Sequence, residues 1–230
     1  MTELPRREKD LEELKRKLME MGTGVREMIA LTLDGLVQRD QGTLDRAMEM
    51  EPKINLMEVE IDDFAVKYMA LYQPEATDLR TAIMIMRMNS NLERMADHAY
   101  NIARDAEYLV ARPFIKPLID IPRMADIATA MLDDAMAAFT HWDADMARAV
   151  CRMDDQVDDL RDQVMRELLT FMMSDPATIE RAMKLMEIAQ NLERIGDLAT
   201  NLCEDIVYMA TGSIIKHHLE DEEREKGRRP

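Results

Sequence analysis

Apolar residues at Leu11, Leu14, Leu18, Met21, Val25 and Met28 recur in steps of three and four, the mark of one buried face on an amphipathic helix running from about Glu8 to Arg39. Gly22 and Gly24 interrupt it. Each costs up to ~1 kcal/mol relative to alanine, which predicts a bend and not a stop. Asp40-Gln41-Gly42-Thr43 reads as a turn in which Thr43 caps the next helix. That second helix is expected from Thr43 to Leu71, kinked beside Glu51 because Pro52 removes a backbone donor and crowds the preceding turn. Tyr72-Gln73-Pro74 closes it, and a third helix runs from Glu75 to about Val110.

Pro113, Pro117 and Pro122 crowd one short stretch, so 1–112 forms a first unit and 113–122 a Pro-rich linker. The plan then repeats within 123–216: a helix from Arg123 to Thr140, a turn at His141-Trp142-Asp143, a helix from Ala144 to Met173, and a last one from Pro176 to about Ala210. Ser174-Asp175-Pro176 starts that last helix with proline in its first turn, where the missing donor does no harm. Gly212 stops it, and 217–230 is expected to be a mobile charged tail. The pattern predicts an all-α protein with three long helices in each of two units.

Within these helices one phrase occurs twice. Asn91-Leu92-Glu93-Arg94-Met95-Ala96-Asp97-His98-Ala99-Tyr100-Asn101 returns 100 residues later as Asn191-Leu192-Glu193-Arg194-Ile195-Gly196-Asp197-Leu198-Ala199-Thr200-Asn201. Each copy sets Glu, Asp, Asn and a further Asp at four-residue intervals: Glu93, Asp97, Asn101, Asp105 and Glu193, Asp197, Asn201, Asp205. That spacing reads as one oxygen-bearing stripe. Beside it lies an apolar stripe, Leu92, Met95, Ala99, Ile102, Ala106 and Leu109, matched by Leu192, Ile195, Ala199, Leu202, Ile206 and Met209, at the heptad spacing of packed bundles.

Composition sharpens this picture without redirecting it. Seven Gly, eight Pro and few aromatics suit helices, and the 23 Met read as gap-fillers between them before they read as a binding surface. The 46 acidic against 30 basic residues, net −16, exclude a nucleic-acid groove as a first reading and favour cations or basic partners. Cys151 and Cys203 form no CxxC and neither is matched in the other repeat, so no disulfide framework or thiolate metal site is expected. No apolar run approaches the roughly 18 residues of a membrane span, and the chain reads as soluble and cytoplasmic.

A solvated acidic face is the plainest account of the stripe, with Arg94 and Arg194 offsetting Asp97 and Asp197 by a few tenths of a kcal/mol. Against it, the Glu–Asp repulsion recurs with the same residue types in both copies. A positive charge between helices would relieve it. Oxygen donors without sulfur suit magnesium, manganese, iron or zinc. The second helix of each unit offers partners: Asp154 and Asp158 repeat the four-residue spacing, and aligning Glu51 to Asn55 with Asp154 to Asp158 places Glu51 and Asn55 alike. The candidate metal ligands are therefore Glu51, Asn55, Glu93, Asp97 and Asn101 in the first unit, and Asp154, Asp158, Glu193, Asp197 and Asn201 in the second.

The two phrases, with Met57-Glu58-Val59-Glu60-Ile61-Asp62, Gln73-Pro74 through Asp78-Leu79-Arg80, and Leu169-Thr170-Phe171-Met172-Met173, resemble the PhoU family, accessory proteins of the bacterial phosphate-specific transport system. The resemblance covers nearly the whole chain in order. It implies two pseudo-symmetric three-helix bundles, each holding a multinuclear iron or zinc cluster through acid-x-x-x-Asp motifs, which here are Glu93 and Asp97, Glu193 and Asp197, and Asp154 and Asp158. Asn55 departs from the acidic form and leaves the first bundle one carboxylate short. The resemblance also implies a homodimer that represses the phosphate response when phosphate is plentiful, by linking the phosphate ABC transporter's ATPase subunit to a sensor histidine kinase, and that meets the membrane only through such partners.

Other chemistries find little support. Ferritin-like di-iron sites need Glu-x-x-His, which neither copy has; His98 is Leu198 in the other copy and reads as a local feature. No Gly-rich phosphate loop or nucleophile setting appears, so no enzymatic activity is expected. The rival that survives is a metal-free helical adaptor whose acidic stripes bind basic partner surfaces.

Overall fold

The apolar periodicity is realised as eight α-helices over residues 5–212, the part of the chain that the structure, a computed structural model, describes. The expected tail, with His217 and His218, lies outside the described residues. Six helices are long: α1 (Arg6–Gln38), α3 (Glu51–Tyr72), α4 (Ala76–Val110), α5 (Asp120–His141), α7 (Asp154–Ser174) and α8 (Ile179–Thr211). Two are eight-residue pieces, α2 (Gln41–Met48) and α6 (Ala144–Cys151). A single 3-10 turn, Pro176–Thr178, leads into α8. Among the described residues no helix is long and apolar enough to cross a membrane.

The two short pieces correct the expected second helix of each unit. Both units turn alike: Arg39 and Trp142 adopt left-handed backbone (φ 57° and 56°), then Asp40 and Asp143 cap the helix that follows. Asp40 accepts from the Gly42 amide at 3.1 Å and the Thr43 hydroxyl at 2.7 Å, so Asp40, not Thr43, is the cap. At Glu49-Met50 and at Arg152-Met153 the helix tightens and restarts; the Met153 amide bonds the Val150 carbonyl at 2.8 Å, three residues back. Pro52 therefore sits in the first turn of α3, where its missing donor is harmless. The same break occurs before α7 without any proline.

The first bundle is α1, α3 and α4, the second α5, α7 and α8, with α2 and α6 laid against them. The bundles join chiefly along α4 and α8, and also where α1 meets α5. Every residue of the two apolar heptad stripes is buried, as are Met21, Met28, Met88, Met95, Met124 and Met131, which supports the packing role read for methionine. The linker is pinned at both ends. The Arg39 guanidinium donates to the Val110 and Arg112 carbonyls at 2.9 and 2.6 Å, and the nearly buried Lys116 ammonium pairs with Asp120 at 3.0 Å and with Glu167.

Neither glycine breaks α1. Gly22 lets α1 approach α5, since a Cβ there would lie 2.7 Å from the terminal Cε of Met136. At Gly35 a Cβ would meet Leu44 of α2 at 2.6 Å on the side chain and 3.1 Å on the backbone nitrogen. A methionine end can swing aside; a backbone cannot. Gly22→Ala should accordingly leave stability within ~1 kcal/mol, helix propensity offsetting the contact, whereas Gly35→Ala should cost about 1–3 kcal/mol by overpacking. Thermal denaturation of the two variants checks this, and equal melting temperatures would refute it.

Candidate functional site

In the second bundle the break between α6 and α7 puts Asp154 at the very start of a helix, with Asp158 one turn on, opposite Glu193 and Asp197 of α8. Gly196 permits the approach: a Cβ there would stand 3.4 Å from the Asp154 carboxylate and 3.7 Å from Val157. The helix N-terminus should favour an ionised Asp154. Instead its pKa is pushed up to about 6, first by burial and then by Asp197, Asp158, Glu193 and Asp155. Desolvation and like charge together outweigh the helix dipole.

Glu193 is only 8% exposed. Burial pushes its carboxyl up, and Asp197 adds to this while Arg194 and Arg161 oppose it. Its Oε1 accepts from Arg161 at 3.3 Å; its Oε2 is buried and accepts no hydrogen bond, with Arg194 Nε at 3.5 Å. Arg194 also holds Asp197 at 3.0 Å.

In the first bundle Glu51 starts α3 in the same way, and Asn55 donates a hydrogen bond to its Oε1. The Asn55 Oδ1 is buried without a partner. Glu93 is pushed up by burial, then by Asp97, Glu58 and Glu51; Asp97 by burial, then by Glu51. Both seams thus bring together the acids read from the sequence, α3 against α4 and α7 against α8.

Orphaned buried oxygens, an all-oxygen donor set and the raised carboxyls of Glu93, Asp97, Asp154 and Glu193 are chemically suited to a hard or borderline cation. Among the described residues, no three His, Cys, Asp or Glu side chains are grouped as a ready-made metal site. Arg161 on Glu193 and Asn55 on Glu51 occupy lone pairs that a cation would use. The donors fit a metal in kind, and side-chain rotation would have to complete the coordination.

A model of the PhoU domain matches this chain twice, at residues 18–106 and 121–206. The chain belongs to the PhoU family. A homologue from Aquifex aeolicus, named phosphate-specific transport system accessory protein PhoU homolog, is 38% identical over 93% of this chain and 97% of its own length. A Thermotoga maritima homologue is 36% identical over 90% and 88%. The crystal structure of PhoU from Pseudomonas aeruginosa superposes with a TM-score of 0.87 at 33% identity, covering 90% of this chain and 99% of that one. Each seam lies inside one of the two matched PhoU domains, α3–α4 in the first and α7–α8 in the second.

The lower half of each stripe goes elsewhere. Asn101 and Asp105 line a crevice of about 450 Å³ with Arg104 and with Lys184, Glu187 and Asn191 of α8. Asn201 and Asp205 line its counterpart of about 330 Å³ with Arg87, Ser90, Asn91 and Arg94 of α4. Asp105 pairs with Lys184 at 2.8 Å and Asp205 with Arg87 at 3.0 Å. His98 Nδ1 meets Asn191 Oδ1 at 2.8 Å, which makes it a contact between bundles. The reason is helical drift: each four-residue step advances about 40° round the axis, so Asn101 stands about 80° and Asp105 about 120° from Glu93. The stripe winds from the acid seam to the bundle–bundle junction, and Asn101 and Asn201 are placed at the junction.

Two further residues belong to the seams. Glu58 adds its charge to the surroundings of Glu93, and Arg161 holds Glu193. The alignment that equates Glu51 with Asp154 also equates Glu58 with Arg161, so the signal was present. The carboxylate missing at Asn55 is regained at Glu58, while the second bundle carries an internal cation at that position.

Because folding raises the Asp154 pKa above the ordinary aspartate value of about 3.9, the unfolded chain loses this proton first. Stability should therefore fall as pH rises from about 4 through about 6 and stay lowered above it. In chelating buffer at pH 7.5, Asp154→Asn should melt higher than wild type, by about 2–4 °C for each kcal/mol of repulsion removed. At pH 4 the difference should vanish. A gain of the same size at both pH values would rule out this origin.

Proposed function

We propose that this chain is a non-enzymatic regulatory accessory to phosphate uptake whose two acid seams take up cations. The observation that carries the regulatory part is the double match to the PhoU domain, shared with relatives that are named as accessory proteins of the phosphate-specific transport system. The further roles, repression of the phosphate response when phosphate is plentiful and linkage of the transporter ATPase subunit to a sensor histidine kinase, come from the family resemblance alone. Homodimerisation comes from that resemblance too, whereas cytoplasmic location comes from the sequence, which has no long apolar run.

Support for the cation part is the raised carboxyls of Asp154 and Glu193, with the orphaned Glu193 Oε2 between the helices. Asp154, Asp158, Glu193 and Asp197 would hold the ion or cluster in the second bundle; Glu51, Asn55, Glu93 and Asp97, with Glu58 beside them, would hold it in the first. A bound iron or zinc cluster, or manganese or magnesium in its place, supplies positive charge that lets these carboxyls ionise together. Arg161 would release Glu193, and the start of α7 would be held against α8. The seam then presents one fixed surface to partners.

A second reading has its own observation. Arg161 and Arg194 already place positive charge on Glu193 and Asp197, as a metal-free adaptor offering acidic surface to basic partners would. Elemental analysis of protein purified without chelator or a metal-affinity tag separates the two. The cation reading expects stoichiometric metal, reduced by about half in Glu193→Ala plus Asp197→Ala at unchanged helicity, because only the second site is lost. Metal-free protein that binds its partners with undiminished affinity would establish the adaptor instead.

A further inference from the structure

Arg87, Ser90, Asn91 and Arg94 stand at i, i+3, i+4 and i+7 of α4, so one face of the helix carries all four. They line the crevice of about 330 Å³ that Asn201 and Asp205 of α8 complete from the other bundle. Arg87 is fixed there by its 3.0 Å pair with Asp205, whose side chain is 2% exposed. A guanidinium presents five N–H donors in a planar fork, so one carboxylate leaves part of the fork for another acceptor. Ser90, Asn91 and Asn201 add a hydroxyl and two amides that can donate.

The opposite crevice has a different balance. Glu187 stands there at the position of Arg87, and Asp105 and Glu187 both pair with Lys184, at 2.8 and 2.6 Å. With Arg104 its charges cancel. Arg94 also departs from its repeat: Arg194 is bonded to Asp197 at 3.0 Å in the acid seam, whereas Arg94 lines the junction crevice. Two guanidinia against one carboxylate leave this crevice an excess of positive charge on a chain whose net charge is −16.

We infer that the crevice binds a small tetrahedral oxyanion, the phosphate dianion being the ligand whose charge and acceptors match it. The anion's oxygens accept from Arg87 and Arg94, in charge-assisted hydrogen bonds roughly twice as strong as neutral ones, and from Ser90, Asn91 and Asn201. One ion is then held by both bundles, through α4 and α8 together. The site takes nothing from the acid seams and does not depend on whether they hold cations.

The test is equilibrium dialysis of radiolabelled orthophosphate against full-length protein stripped of metal by chelation, in chloride buffer of constant ionic strength. The expected result is one saturable phosphate per chain. Arg94→Gln should weaken it by about tenfold or more, and Ser90→Glu, which sets a carboxylate in the crevice, should abolish it. Arg104→Gln, in the opposite crevice, should bind as wild type does. Circular dichroism keeps folding separate from binding. Glycerol phosphate as competitor distinguishes the sources: displacement assigns the site to a phosphate head on a larger molecule, and failure to displace assigns it to the free anion. No saturable binding by the wild type, undiminished binding by Arg94→Gln and Ser90→Glu, an equal loss in Arg104→Gln, or phosphate bound only once zinc is restored would each overturn the inference. None of these outcomes alters the metal content on which the cation reading of the seams is judged.

Discussion

Carboxylates from two adjacent helices, half-removed from water, resist ionising together, and each bundle is arranged around that resistance. In the second bundle it is concentrated at Asp154, whose position at a helix start would by itself favour the charged form, yet whose pKa rises to about 6. The relief within the chain is partial. Arg161 reaches Glu193 and Arg194 reaches Asp197, and one Glu193 oxygen remains buried without a hydrogen bond. A seam so built keeps negative charge that the chain's own arginines offset only in part.

The helices carrying the seams also carry the junction. α4 and α8 each present acids to their own bundle near the middle, then turn through the natural drift of four-residue spacing to offer an amide and an aspartate to the other bundle. Asp105–Lys184 and Asp205–Arg87 repeat across this junction with a different cation in each place. The repeated phrase therefore does two jobs: its first turns build an acid seam, its last turns join the halves. A change of helix rotation at a seam would be felt at the junction through the same rigid segment.

Much of this was legible in the residues because burial imposes a period. The apolar steps of α1, α4 and α8 and both heptad stripes are core throughout, and the Glu-x-x-x-Asp copies face the acids expected of them. What periodicity could not reveal is where a helix stops while its buried face continues. Val150 and Val157 stand seven apart on one side, so the pattern passes unbroken over Arg152-Met153; only the tightened hydrogen bonds from Arg152 to Ala149 and from Met153 to Val150 mark the restart. Asn101 and Asn201 line the crevices between the bundles, away from the acid seams, because a four-residue interval resembles a straight line over two steps and a spiral over four.

The asymmetry between bundles changes character once Glu58 and Arg161 are placed. Asn55 no longer leaves the first seam poorer, since Glu58 contributes charge there, and the second seam is the one partly neutralised from within. The central claim is that the α7–α8 carboxyls form one repelling set awaiting a cation. Carbon-13 NMR titration of the Asp154 carboxyl, in chelator and then with saturating zinc, measures it most directly. The account predicts a midpoint of about 6 in chelator, falling below the ordinary aspartate value of about 3.9 with zinc. A midpoint in the ordinary range that zinc leaves unmoved would contradict it.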